Sequence, residues 1–125
     1  MPSRAEFEEW IDAYERAWRT VGTEVLAGLF TEGATYRMSP YADSARGLKE
    51  IGELWERERA GPDEEFEMSR EVIAVDGDTA VARIAVEYAD GNRYRDLWIV
   101  RFAPDGRCRE FEEWAYWPGL TPPLP

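Results

Sequence analysis

The sequence has no histidine, and Cys108 is its only cysteine. Without histidine there is no Ser–His or Cys–His nucleophile pair, no His-ligated zinc and no imidazole base. A lone cysteine excludes an intramolecular disulfide and any Cys-based metal set. No metal and no cofactor is therefore expected. Positive charge is also scarce: 15 Lys and Arg against 26 Asp and Glu give a formal net charge of −11. That balance disfavours nucleic acid and anionic membrane surfaces as partners. The start of the chain lacks a basic segment followed by an apolar run, and no stretch reaches the length of a membrane span. A cytoplasmic location is the default expectation.

Aromatic residues are present in quantity, with six Trp, six Tyr and five Phe in 125 residues. Phe7, Trp10, Ile11, Tyr14, Trp18 and Val21 recur at three- and four-residue steps, which places them on one helical face. Burying that stripe would contribute on the order of 10 kcal/mol, an upper figure because the unfolded chain already hides part of it. Ser3 and Glu6 form an S-x-x-E capping box ahead of it, so a first helix is expected over residues 4–21. Asp12–Arg16 and Glu15–Arg19 are favourable four-residue pairs on its outer side. Gly22 ends it. Thr23 is placed to cap a short second helix carrying Val25, Leu26, Leu29 and Phe30, closed by Gly33.

Residues 34–39 read as a short strand with Tyr36 and Met38 on one face and Arg37 on the other. A polar loop over 41–46 follows. A third helix after Gly47 buries Leu48, Ile51, Leu54 and Trp55, and Ala60, Gly61, Pro62 and Asp63 break it. From residue 65 the pattern changes to long strands. Three Asp-Gly turns, at Gly77, Gly91 and Gly106, divide 65–75, 79–89, 93–103 and 108–117 into an antiparallel meander. Strands of this length twist and bulge into a trough, which the first helix fills. The fold class is α+β, with three N-terminal helices on a curved, mainly antiparallel sheet. One domain spans 1–125, and its Pro-rich tail over 117–125 is read as an ordinary chain end.

The order α-α-β-α-ββββ, with AYERAW in the first helix, LFTEGATYRMSPY after the second and DGRCREFEEW near the end, resembles the nuclear transport factor 2-like superfamily. Within it, that ending resembles the many small bacterial SnoaL-like proteins. The resemblance implies a cone-shaped half-barrel with a pocket between sheet and helices, often dimeric through the outer sheet face. It does not select an activity, because the superfamily hosts isomerases, dehydratases, cyclases, epoxide hydrolases and non-catalytic binders.

Ketosteroid isomerase-like members use a carboxylate base plus a tyrosine and a protonated acid as oxyanion donors. Tyr14 matches that tyrosine. Met38 or Ser39 falls at the base position, and Trp98 falls on or beside the acid, so that set is broken. Cyclases and dehydratases of the superfamily rely on a histidine that this chain lacks. Against epoxide hydrolase-like members, Arg83 and Glu113 match, but Ala85 stands in place of the middle Asp.

Strand alternation puts Ala82, Ile84, Val86 and Tyr88 toward the pocket and Arg83 and Glu87 outward as a surface pair. Trp98, Val100 and Phe102 share the inward face, and if Phe111 points inward so does Glu113. A one-residue register slip would substitute Glu112. Trp114 and Tyr116 then face outward with Val81 and Ala85, which points to a homodimer through that surface. The expected pocket is lined by Trp18, Tyr36, Met38, Trp55, Ile84 and Val86, together with Tyr88, Trp98, Val100 and Phe111. It suits a small apolar or aromatic ligand. Glu113 is the expected acid or base and Tyr14 the oxyanion donor for cofactor-free isomerase-, hydratase- or cyclase-like chemistry. Two alternatives stand beside this: Glu113 merely satisfies the polar groups of Tyr36 and Trp98, or the protein is a non-catalytic homodimeric module with a vestigial pocket. A cavity of at least about 300 Å³ walled by Glu113 and Tyr14 separates ligand chemistry from a solid core.

Overall fold

The computed structural model describes residues 1–59 and 65–120. The helix break expected at 60–63 and the tail beyond 120 lie outside the described residues. Helix α1 (Arg4–Trp18) starts with both halves of the capping box formed. Ser3 Oγ accepts from the Glu6 amide at 3.1 Å, and the Ser3 amide donates to Glu6 Oε1 at 3.0 Å. Phe7, Trp10, Ile11, Tyr14 and Ala17 are buried and Trp18 is half-buried. Val21, expected to continue the stripe, is 73% exposed. The helix has already ended there, at Trp18 with Arg19 as its C-cap, and Arg59 holds the chain beyond it, donating to the Thr20 carbonyl at 2.6 Å and to the Gly22 carbonyl at 2.9 Å. Past that end the helical periodicity no longer governs Val21.

Helix α2 (Leu26–Leu29) is shorter than the sequence suggests, and Val25 stands at its N-cap without a side-chain cap. Thr23 does not cap it; the Thr23 side chain instead packs over Gly52, where an added Cβ would meet Oγ1 at 3.3 Å. Phe30 leaves the helix to open β1 (Phe30–Arg37), which begins four residues earlier than expected. Two residues of the anticipated loop form the small strand β2 (Ala45–Arg46), paired with β1. Helix α3 (Gly47–Glu58) buries Ile51, Leu54 and Trp55 as expected. The four long strands, β3 (Phe66–Asp76), β4 (Thr79–Tyr88), β5 (Arg93–Phe102) and β6 (Cys108–Tyr116), match the expected meander to within a residue or two. Gly77, Gly91 and Gly106 each take positive φ in the connecting turns, which side chains would disfavour.

These strands form one open sheet in the order β2-β1-β6-β5-β4-β3. The step that sequence alternation does not supply is the parallel pairing of β1 with β6, with Tyr36 opposite Phe111. Register shifts interrupt the β3–β4 and β5–β6 ladders, between Val72 and Ala74 and between Arg101 and Phe102. Such bulges bend strands and raise their twist, which gives the sheet its concave face. Helix α1 lies in that concavity. Trp10 sits at its centre, within 6.3 Å of the ring centroids of Phe30, Trp98, Phe102 and Phe111.

Charged residues tie the layers at their margins. Arg70 of β3 reaches Asp12 at 3.2 Å and Glu8 at 3.5 Å, so Asp12 pairs across to the sheet and not along the helix with Arg16. The Glu15–Arg19 pair forms at 2.9 Å, and Arg19 also donates to the Phe66 carbonyl. Cys108 is fully buried, and burial pushes its thiol well above the ordinary range, which leaves it unreactive.

Candidate functional site: a buried carboxyl pair on an aromatic cavity

Inward alternation on β5 and β6 brings the polar centre together. Trp98 lies opposite Glu113 in the antiparallel ladder, and Asp96 lies opposite Ala115, one inward position further along. The parallel β1–β6 pairing sets Tyr36 beside the same cluster, and Tyr14 descends onto it from α1. Trp98 Nε1 donates to Glu113 Oε2 at 3.1 Å. Tyr36 donates a longer bond to Glu113 Oε1 at 3.4 Å. Tyr14 and Tyr36 join hydroxyl to hydroxyl at 2.6 Å. With the Tyr36 proton directed at Glu113, the Tyr14 proton is spent on Tyr36. The Tyr14 hydroxyl therefore stands behind Tyr36 and is not a free donor.

Glu113 is half-buried and Asp96 is 8% exposed, the only charged-type residue in the buried core among the described residues. Desolvation pushes Asp96 up to about 8, with the neighbouring Glu113 charge and a hydrogen bond to Glu113 adding to it. Desolvation also raises Glu113, to about 7, while its bonds from Trp98, Tyr36 and Asp96 hold it down. Two carboxyls in contact bond only when one carries a proton, and the better-solvated charge belongs on the group with more donors. At neutral pH the arrangement therefore assigns the shared proton to Asp96 and the charge to Glu113. Both tyrosines are raised well above the usual phenol range, chiefly by burial, and stay protonated.

The pair sits on the wall of a cavity of about 460 Å³ between the sheet, α1 and α3. Of the residues expected around a pocket, Tyr14, Trp18, Tyr36, Met38 and Trp55 reach its surface. So do Val86, Tyr88, Trp98 and Glu113. Ile84, Val100 and Phe111 do not; they are 0–1% exposed and pack beneath it in the solid part of the core. Strand alternation gave their face correctly but not their depth; Trp10 and Tyr14 of α1 pack onto Phe111.

Asp96 is the residue that sequence reasoning missed. The alternation Trp98, Val100, Phe102 extended back by two would have put it on the same face. Its carboxyl lies on the same inward face as Trp98, two residues away along β5. Arg83 does not join the site: it pairs with Glu71 at 3.6 Å on the outer sheet face, and not with Glu87. Glu112 likewise faces outward and pairs with Arg37.

Among the described residues, two buried polar atoms of the cavity residues have no hydrogen-bond partner, Asp96 Oδ1 and Trp55 Nε1. Among the described residues no group of three potential metal ligands is found, and no helix is long and apolar enough to cross a membrane.

Comparison with known proteins agrees with this architecture. The SnoaL-like domain family matches residues 8–111. The epoxide hydrolase/cyclase-like enzyme SalBIII, which has a role in pyran ring formation in the polyether salinomycin, superposes with a TM-score of 0.71 at 17% identity, over 93% of this chain and 95% of that one. A ketosteroid isomerase-like protein from Erwinia carotovora atroseptica gives 0.62 at 22% identity, over 94% and 96%. An NTF-2 like protein of unknown function from Burkholderia xenovorans gives 0.71 at 14%, over 94% and 88%. At these identities the likeness is one of fold. No curated protein matches the chain.

Proposed function

Because the chain belongs to the SnoaL-like domain family, in which one fold serves unlike chemistries, we propose that its cavity takes up a small apolar or aromatic metabolite and that the carboxyl pair moves a proton on it without a cofactor. The observation that carries this reading is an aromatic cavity of about 460 Å³ lined by Asp96 and Trp55, whose buried Oδ1 and Nε1 have no partner among the described residues. Buried polar groups are ordinarily satisfied, and a cavity of this size with a few convergent polar groups has the form of a small-molecule site.

In the proposed step Glu113, ionised and oriented by Trp98 and Tyr36, accepts a proton from the ligand. Asp96, protonated beside it, donates to the atom where negative charge develops. Tyr14 positions Tyr36. The test is deuterium wash-in next to the carbonyl of a bicyclic aryl ketone such as tetralone, followed by NMR in heavy water. Exchange faster than in buffer, and lost in Glu113→Gln, is the expected result. Exchange no faster than in buffer would overturn the proton-transfer step, while Trp fluorescence titration reports binding separately.

A second reading concerns the outer sheet face, where Leu97 lies opposite Trp114 and Ile99 opposite Glu112. Tyr116 is 46% exposed on the same face, and Val81 is half-buried. This apolar stripe across three strands supports a homodimer through that face. Sedimentation of the wild type and of Leu97→Glu measures it: a dimer that the substitution dissociates is expected.

A further inference from the structure

The cavity is charged in one sense only. Asp96 and Glu113 lie within it, and Glu58 of α3 and Asp90 of the β4–β5 turn stand at its wall. No Lys or Arg lines it among the described residues. The polar and titratable residues around the pair on this lining are Tyr14, Tyr36, Glu58, Tyr88, Asp90, Asn92, Tyr94 and Trp98, none of which is a cation. Trp18 and Trp55, whose ring centroids are 4.9 Å apart, add electron-rich faces. They already hold one cation outside the cavity, the Arg59 guanidinium, 5.8 Å from each ring.

From these observations we infer that the cavity's ligand carries a positive charge: a protonated or quaternary amine on an apolar or aromatic body, with Asp96 and Glu113 as its counter-ions. The inference rests on the cavity reading above, and not on the proton-transfer step in which Asp96 keeps its proton, and it narrows the ligand class. Asp96 lines this wall and is more than nine-tenths buried, and its Oδ1 accepts from nothing among the described residues. An ammonium N–H answers that acceptor, and electron-rich rings attract the same charge through their quadrupoles. An anion is repelled by the net negative charge of this carboxyl-lined cavity. A net charge of −11 also raises the encounter rate of a cation and lowers that of an anion. Burial without a nearby cation is the main reason both carboxyls are raised, so an entering ammonium lowers both and expels their shared proton.

The experiment is isothermal titration of the wild-type protein with naphthylmethylamine, naphthylmethanol and naphthoate, three charges on one ring system. The amine is expected to bind about tenfold or more tighter than the alcohol, and naphthoate not measurably, as desolvated cation–π and ion-pair contacts predict. Amine binding at neutral pH should release protons, read from the difference in heat between phosphate and Tris buffers. The double variant Asp96→Asn, Glu113→Gln should keep the alcohol's affinity and lose the preference for the amine. Equal or tighter binding of the alcohol by the wild type would overturn the charge inference and leave the aromatic cavity reading standing. A preference that survives in the double variant would also overturn it. Binding of none of the three would remove both readings.

Discussion

Asp96 and Glu113 occupy diagonal inward positions on neighbouring strands, so two carboxyl groups share one desolvated space on the same face of the sheet. Like charges placed this way cannot both ionise cheaply, and the fold holds a proton there that the unfolded chain would have lost.

Stability should therefore fall as pH rises. Both groups are raised on folding, Glu113 to about 7 and Asp96 to about 8, so between about pH 4 and pH 8 the folded state binds more protons than the unfolded one. Their contribution is complete below the ordinary carboxylate range and is lost as pH rises through the folded values. Asp96→Asn removes the second charge and should stabilise the protein at alkaline pH by roughly 1–3 kcal/mol, with little gain in acid. Urea midpoints at mildly acidic and mildly alkaline pH, in both proteins, measure the difference. A variant that gains equally at both would sink the account.

Trp98→Phe should raise Glu113 further. The indole N–H is the strongest of the bonds that favour its ionised form, and phenylalanine keeps most of the ring packing. Carboxyl carbon NMR of labelled Glu should show titration of Glu113 displaced to higher pH in the variant. No displacement would mean that the Trp98 contact does not orient the carboxylate.

The two tyrosines are not equivalent. Tyr36→Phe strands the Tyr14 hydroxyl and removes a donor to Glu113, whereas Tyr14→Phe leaves Tyr36 still bonded to Glu113. The first should cost about 1–2 kcal/mol and the second roughly half of that, since a stranded buried polar group costs more than a missing bond. A double-mutant cycle on denaturant unfolding should show coupling between them. Independent effects would break the proposed chain.

Arg59 should behave as a structural clamp and not as part of the cavity. Its side chain is only 8% exposed and binds carbonyls of the α1 C-terminus while lying over Trp18 and Trp55. Arg59→Ala is expected to destabilise by about 1–3 kcal/mol, the scale of hydrogen bonds to charged groups, and Arg59→Lys to recover only part, for lack of the planar fork. Hydrogen exchange at the Arg19 and Thr20 amides should accelerate in both variants. Unchanged exchange there would argue that the helix end is held by something else.

The sequence by itself determined the elements and their faces. The Ser3–Glu6 box, the aromatic stripe of α1, the three Asp-Gly turns and the inward alternation that carries Glu113 are local patterns, and local patterns survive translation into structure. Asp96 was within reach of the same alternation. What only the tertiary structure decided was how deep each inward residue lies and which polar groups meet. Ile84 and Val100 share a face with Val86 and Trp98, yet only the latter two reach the cavity, because the packing of helices on the sheet sets depth and alternation does not. The meeting of Tyr36 with Glu113 depends on a parallel pairing between strands 77 residues apart at that point, and no short-range spacing encodes such a contact.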